Sequence, residues 1–533
     1  MTFPSWFMFG AATAAYQIEG AWDVSDKSES IWDRLLHTQP SLVLDNSNGD
    51  EACYSYDFWP RDVEIAHELG LQMYRFSISW PRLLPTGFPN KISMNGKNYY
   101  SKLIDGLLKK GIQPVVTMYH WDLPQSLQDL GGWTNPLIAT WFADYARVLY
   151  TLFGDRVKYW ITINEPLTIC DGGYSKMAAP YLNDMKISNY LCSKHVLLAH
   201  AKAFRAYEEF RKGYRDFYVK NQSNCHRLRF AAPAVLAGAA AVLQPPRARF
   251  QWPIFSSGSN LWIRKKIKKL RNSQCNSGLV SRLRDIAPTA HAAHKEEPLC
   301  SSKLVELFYL HEGRFGHPIY SKTGGWPPEL ERYIAGLSAR EGYNQSRLPP
   351  FTPEEIQLVK GSYDFYGLNH FTTRLVKKAT PKTAGDWPFY GSKELGVSFV
   401  NHPKRKTIVI DWFQIYPEGL RKQLHWIKDN YEVKDIMITE NGLPMLRLDF
   451  ADYERVDYIR EYLKHVLLAI NDGVHVMGYI VWSMMDSFEW ITGYKVKYGL
   501  YEVNFESDYR LRDARESAKY YRKPPLDHNP QTA

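Results

Sequence analysis

Residues 157–166 read VKYWITINEP, and residues 435–442 read DIMITENG. In each, a short apolar run ends in a glutamate followed by a turn residue: Glu165 before Pro166, and Glu440 before Asn441 and Gly442. Runs of this length, rich in β-branched and aromatic residues, read as buried strands. Working outward, similar runs occupy Phe7–Ala12, Leu71–Ser77, Pro114–Tyr119, Val157–Ile163, Tyr363–Leu368, Asp435–Thr439 and Val476–Trp482. Between them lie stretches of helical period, such as Asp57–Leu69, Tyr99–Lys110, Pro136–Phe153 and Arg455–Asn471. Strands alternating with helices predict an α/β fold with a parallel sheet, and the number of units points to a (β/α)₈ TIM barrel. Seven strands are legible where a closed barrel needs eight, so the fifth strand is in doubt.

The doubt falls on residues 213–310, where periodicity breaks down. This stretch holds AAPAVLAGAAAVLQPPRARF, then a basic run RKKIKKLR at 264–271, then a Ser-, Asn-, Ala- and His-rich segment. It is expected to be irregular and weakly packed, either as a disordered loop or as sequence from a faulty gene model, rather than a functional insertion. The run Arg229–Leu236 is the one stretch that could stand in for the missing strand. Residues 1–533 otherwise read as a single catalytic domain, since one barrel routinely runs well past 250 residues.

Composition excludes several classes. With 45% hydrophobic and 23% charged residues, the chain is an ordinary globular one. The 17 Trp and 35 Tyr suit either a large aromatic core or platforms for sugar rings. Net charge is +10, but the excess concentrates in Arg264–Arg271 without a recognition motif, so no nucleic-acid partner is expected. No apolar run is long enough to span a bilayer, so no membrane partner is expected either. Six cysteines, at 53, 170, 192, 225, 275 and 300, form no CxxC pair, so no metal site and no cofactor are expected, and the redox compartment stays open. The start has neither basic n-region nor apolar h-region. Sequons at Asn221 and Asn344 favour an extracellular or secretory setting, with a cytoplasmic one still open. The oligomeric state stays open as well.

In a (β/α)₈ barrel the C-terminal strand ends carry the active site. Glu165 and Glu440 would therefore face one mouth, although each could also serve only as a favourable charge at a helix start. Other strand ends supply Gln17, His120, Trp121, Asn369, His370, Trp482, Glu489 and Trp490. Each alone could be packing. Together, amide, imidazole, indole and carboxyl groups suit a hydroxyl-rich ligand.

The segments FMFGAATAAYQIEGAW, YRFSISWPRLLPTG, VVTMYHWDLPQSLQDLGGW, WITINEPLT, YDFYGLNH, IMITENGLP and GYIVWSMMDSFEW resemble glycoside hydrolase family 1, the β-glucosidase family. The wording is similar to insect members, which include digestive β-glucosidases and thioglucosidases. The resemblance implies a retaining β-glycosidase that hydrolyses a β-glucoside or oligosaccharide, most simply an O-glucoside, through a covalent glycosyl-enzyme. It implies Glu165 as acid/base, Glu440 as nucleophile and Asn164 at the sugar 2-hydroxyl. It also implies Gln17, His120, Glu489 and Trp490 around the glucose, and Trp482 as its aromatic floor. Trp121 and Asn369 are counted with them as substrate-binding. Plant thioglucosidases carry Gln at the acid/base position, whereas this chain has Glu165. Phe371 stands where the family has a Tyr bonded to the nucleophile, and a recognisable fifth strand is missing. These departures keep two alternatives in view: a weak or inactive relative acting as a sugar- or protein-binding module, and a thioglucosidase.

Overall fold

The computed structural model describes residues 2–220, 313–378 and 413–522 except 447–449, together with five short strands between these spans. Met1–Val242 and Cys300–Ala533 belong to one compact unit. A nine-stranded sheet forms its centre. Its strands are β1 (Met8–Ala12), β2 (Met73–Ser77), β3 (Gln113–Tyr119), β4 (Tyr159–Ile163), β5 (Arg229–Ala231), β6 (Val235–Leu236), β7 (Tyr366–Asn369), β8 (Ile436–Asn441) and β9 (Val476–Trp482). Every pairing in it is parallel. The order runs β5-β4-β3-β2-β1-β9-β8-β7-β6. This is the (β/α)₈ barrel, and all seven legible strands lie within three residues of their expected bounds.

The fifth strand corrects the expectation. Arg229–Ala231 pairs with β4 in the register Tyr159↔Arg229, and Val235–Leu236 pairs with β7 in the register Val235↔Leu368. One short run, RFAAPAVL, thus covers both edges that seven strands would leave open. It escaped a periodicity reading because the two paired pieces are three and two residues long, with a proline between them in sequence. Irregularity from residue 213 onward is also overturned at its start, since a helix continues to Lys220. The basic run 264–271, Cys225, Cys275, Cys300 and the Asn221 sequon lie outside the described residues.

The main helices are α1 (Ser55–Glu68), α2 (Met94–Lys109), α3 (Ile138–Phe153), α4 (Ser188–Lys220), α5 (Pro417–Tyr431) and α6 (Tyr453–Asn471); α1, α2, α3 and α6 fall on the stretches of helical period named above. In α2, Ser93 caps the N-terminus by accepting the Gly96 N–H at 3.0 Å. Tyr99, Tyr100, Leu103, Ile104 and Leu107 then bury one face against the sheet at three- and four-residue spacing. Helices outside and packed side chains inside leave β8 and β9 buried along their whole length. That burial explains why they read as unbroken apolar runs rather than alternating ones.

The ends of β8 and β9 meet closely at Gly442. A Cβ there would stand 1.8 Å from the Trp482 carbonyl oxygen. Gly442→Ala therefore forces the two strand ends apart, and we expect a loss of about 1–3 kcal/mol in stability. Chemical denaturation of the variant measures it, and an unchanged midpoint would show that this contact yields freely.

Candidate active site

Glu165 is the second residue after β4 and Glu440 is the penultimate residue of β8, so the C-terminal ends of two strands carry the two carboxyls. Both are buried. What joins them is Arg75, an interior residue of β2. Its Nε donates to Thr117 Oγ1 on β3 at 3.0 Å. Its Nη1 donates to Glu440 Oε1 at 2.5 Å and to the Thr439 carbonyl at 3.0 Å. Its Nη2 donates to Asn164 Oδ1 at 2.8 Å.

Asn164 is held on every side. Its Oδ1 also accepts from Asn369 Nδ2 at 3.1 Å, and its Nδ2 donates to His120 Nε2 at 3.0 Å. Asn369 ends β7. Its Nδ2 further donates to Glu165 Oε1 at 3.0 Å, while its Oδ1 accepts from Thr439 at 2.7 Å. Thr168 Oγ1 donates to the other Glu165 oxygen at 3.1 Å.

Burial and charge set the protonation states. Burial first, and the Glu440 charge second, push Glu165 up to about 8. Burial raises the Glu440 carboxyl as well, and the Arg75 ion pair pulls it back. Arg75 offsets only part of the rise at Glu440, and the proton of the pair favours Glu165, which has no cation bonded to it. Glu489 is a third acid, raised to about 8 by burial and then by Asp486 and Glu440. His120 is held well below its ordinary range by burial and by Arg75, so it is neutral. With Nε2 accepting from Asn164, its buried Nδ1 is the protonated nitrogen, and it has no partner among the described residues.

Aromatic rings form the remaining wall. The His120 ring stacks on Trp482 at 5.8 Å and on Trp490 at 6.1 Å. Trp121 lies 4.5 Å from Trp490 and donates Nε1 to the Asn164 carbonyl at 3.0 Å. Gln17 donates Nε2 to the Phe488 carbonyl at 2.8 Å, which leaves its buried Oε1 without a donor among the described residues. Glu165, Trp121 and Trp490 all have positive φ, at 46°, 78° and 55°. Such backbone costs about 1–3 kcal/mol per residue and tends to cluster where geometry matters for function.

The structure thus gathers Gln17, His120, Trp121, Asn164, Glu165, Asn369, Glu440, Trp482, Glu489 and Trp490 at one end of the barrel. His370 departs from them: its Nδ1 bonds Gln423 on α5 at 2.9 Å, and burial holds it down at about 4. Phe371 is half-buried, edge-on to Tyr498 at 5.9 Å. Three site residues escaped the sequence reading: Arg75, Thr168 and Tyr498. Burial raises the Tyr498 hydroxyl, and Glu489, Glu165 and Glu440 raise it further, so it senses all three acids. Arg75 alone left a signal, a cation inside an otherwise apolar strand, YRFS. Among the described residues no cluster of His, Cys, Asp and Glu could hold a metal ion, and no helix is long and apolar enough to cross a membrane.

Two carboxyls, one protonated and one paired with a cation, on the C-terminal strand ends of a barrel are the equipment for cleaving a glycosidic bond. The sequence model of glycosyl hydrolase family 1 matches residues 1–234 and 265–525. The chain belongs to that family and is a glycoside hydrolase. It is 39% identical to myrosinase 1 of Brevicoryne brassicae over 98% of this chain and 97% of the relative. It is 35% identical to the human cytosolic β-glucosidase over 98% of each. Among solved structures, an aphid myrosinase matches with a TM-score of 0.79, 37% identity and 98% coverage of both chains. A Thermotoga maritima β-glucosidase in complex with castanospermine matches with a TM-score of 0.75 and 31% identity, over 99% of this chain and 100% of that one.

The Glu489 shift has a consequence for stability. Its folded value lies near 8, above an ordinary value of 4.5, so the folded state binds the proton more tightly. That contribution is fully present below the unfolded value and is lost as pH rises through the folded one. Glu489→Gln does not titrate. Its melting temperature should therefore gain on that of the wild type between about pH 5 and about pH 9. A constant difference across that range would refute the raised value.

Proposed function

We propose that this chain hydrolyses β-glucosides with retention of configuration, with Glu165 as acid/base and Glu440 as nucleophile. The observation that carries the reading is the asymmetry of the pair: Glu165 is raised to about 8, while Glu440 bonds Arg75 at 2.5 Å. Glu165 donates its proton to the leaving oxygen as Glu440 attacks the anomeric carbon. The resulting glycosyl-enzyme is then hydrolysed by a water that Glu165, now a base, deprotonates. Gln17 Oε1, His120 Nδ1–H and the Glu489 carboxyl offer an acceptor and donors to sugar hydroxyls. Trp482 and Trp490 offer apolar faces to the ring. Asn164, held by Arg75 and Asn369, presents its remaining amide hydrogen near the 2-hydroxyl.

An inactive binding relative is not favoured, since both acids are present and held by Arg75, Asn369 and Thr168, with Phe371 the one departure. A thioglucoside is the second reading, and the myrosinase named among the relatives favours it. A thiolate departs with little help from an acid, however, so a buried, protonated Glu165 is better matched to O-glucosides. We further propose residence in the secretory pathway or outside the cell. The Cys170–Cys192 disulfide and the exposed sequon at Asn344 support it. We propose also that the chain acts as a single catalytic domain.

A 2-deoxy-2-fluoro glucoside with a good leaving group should trap an adduct on Glu440, and a label mapped elsewhere would sink the assignment. Glu165→Ala should slow alkyl glucosides far more than dinitrophenyl glucosides, with azide restoring turnover on the latter. Equal losses on both would remove the acid role. Phe371→Tyr supplies the hydroxyl that the family resemblance assigns to the nucleophile. A hydrogen bond to a charged group contributes about 1.5–3 kcal/mol, so turnover should rise by roughly one to two decades if that bond acts in the transition state. Unchanged turnover would mean that Arg75 and the other partners already suffice.

A further inference from the structure

We propose that the Cys170–Cys192 disulfide is a positioning device for Glu165, so that the oxidation state of this pair governs how well a departing group is protonated. The inference rests on the acid/base reading of Glu165. It starts from the five residues Thr168–Gly172, a single wide helical turn that begins three residues after Glu165. Thr168 Oγ1 donates to the Glu165 carboxyl at 3.1 Å, and the Ile169 N–H donates to the Glu165 carbonyl at 3.2 Å. The next residue, Cys170, is bonded to Cys192 on α4, and Asp171 pairs with buried Arg314 at 2.7 Å. One covalent bond and one ion pair thus pin the turn within three residues of the hydroxyl that orients the carboxyl.

The carboxyl needs such pinning. Glu165 holds φ at 46°, which an unconstrained glutamate rarely adopts. The loop that the disulfide closes also returns to the site. Tyr174 and Ala178–Pro180 line a small cavity together with Thr168 and Trp121. Trp121 in turn donates to the Asn164 carbonyl, the peptide immediately before Glu165. The loop thus shares a cavity with Thr168, which bonds the acid, and with Trp121, which bonds the residue before it. The Thr168 hydroxyl is the one of these that touches Glu165; the disulfide and the cavity wall act on it through Thr168 and Trp121.

Reduction by a dithiol breaks the S–S bond and leaves two protein thiols. The dithiol supplies two electrons and two protons and becomes a cyclic disulfide. With the link cut, the turn that carries Thr168 loses its covalent anchor. Glu165 gains freedom and solvent, which lowers its affinity for the proton. The loss should fall on the step that needs an acid and spare attack by Glu440.

The full chain is assayed on an alkyl glucoside and a dinitrophenyl glucoside, before and after dithiothreitol, with Cys170 and Cys192 tracked by non-reducing peptide mapping. A Cys170→Ser, Cys192→Ser double variant controls for the other cysteines. We expect reduction and the double substitution each to slow the alkyl glucoside by about tenfold while changing the activated one by less than about twofold. The alkaline limb of the pH–rate profile should move to lower pH in both. Reoxidation should restore the wild type alone. The proposal is overturned by equal loss on the two substrates, by an unmoved alkaline limb, by dithiothreitol sensitivity that persists in the double variant, or by a peptide map showing free thiols in the folded chain. Should the double variant fail to fold, the reduced wild type supplies the same readouts. Glu165→Ala separates the two ideas: if it shows no leaving-group dependence the acid/base reading fails, whereas normal dependence there with silent cysteine variants overturns only this inference.

Discussion

One guanidinium holds the site together. Arg75 starts on β2 and touches β3, the residue after β4, and β8, with four hydrogen bonds over those three partners. A buried cation of this kind is expensive unless each of its donors finds an acceptor. Here the requirement is mutual. Glu440 is tolerated in the interior because Arg75 is there, and Arg75 because Glu440 and Asn164 are. Removing either partner leaves an unpaired charge in a dry place, which typically costs about 3–5 kcal/mol. The planar fork also fixes directions that a lysine ammonium would leave loose. The orientation of Asn164, and through it of Asn369 and His120, follows from that plane.

The same dry surroundings divide the labour between three acids. Burial alone would raise all of them. Glu440 is singled out for ionisation by its cation, and the charge it then carries keeps the proton on Glu165 and adds to the shift on Glu489. No separate device is needed to make the two carboxyls unequal, since one ion pair favours charge on Glu440 over Glu165. His120 is kept neutral first by burial and then by Arg75, which opposes a second positive charge nearby.

Much of this was legible in the chain itself. An apolar run ending in a glutamate marks a strand and its C-terminal end at once, which is why Glu165 and Glu440 stood out. Arg75 did not, because a single cation in a five-residue strand breaks a local pattern, and its partners lie 42 to 365 residues away in sequence. Tyr498 comes from beyond the last strand and Thr168 from a turn, and neither position has a period to betray it. His370 shows the opposite error: it follows Asn369 directly, yet one residue along a strand reverses the direction of the side chain. The disulfide was out of reach for a combinatorial reason, since six cysteines permit 15 pairings. The fifth strand was hidden by its brevity, although the short run Arg229–Leu236 was the right place to look.

That short run also bears on how the family can vary. Val235–Leu236 finds its partner in β7, at Leu368 and Asn369, so the barrel closes across more than a hundred residues of chain. The entropy of bringing two ends together rises only with the logarithm of the length between them, roughly 0.6 kcal/mol for each doubling. A crossover that is already long can therefore gain dozens of residues for less than the worth of one buried methylene. Evolution can extend this connection almost freely, while the three strand ends gripped by Arg75 admit no insertion at all.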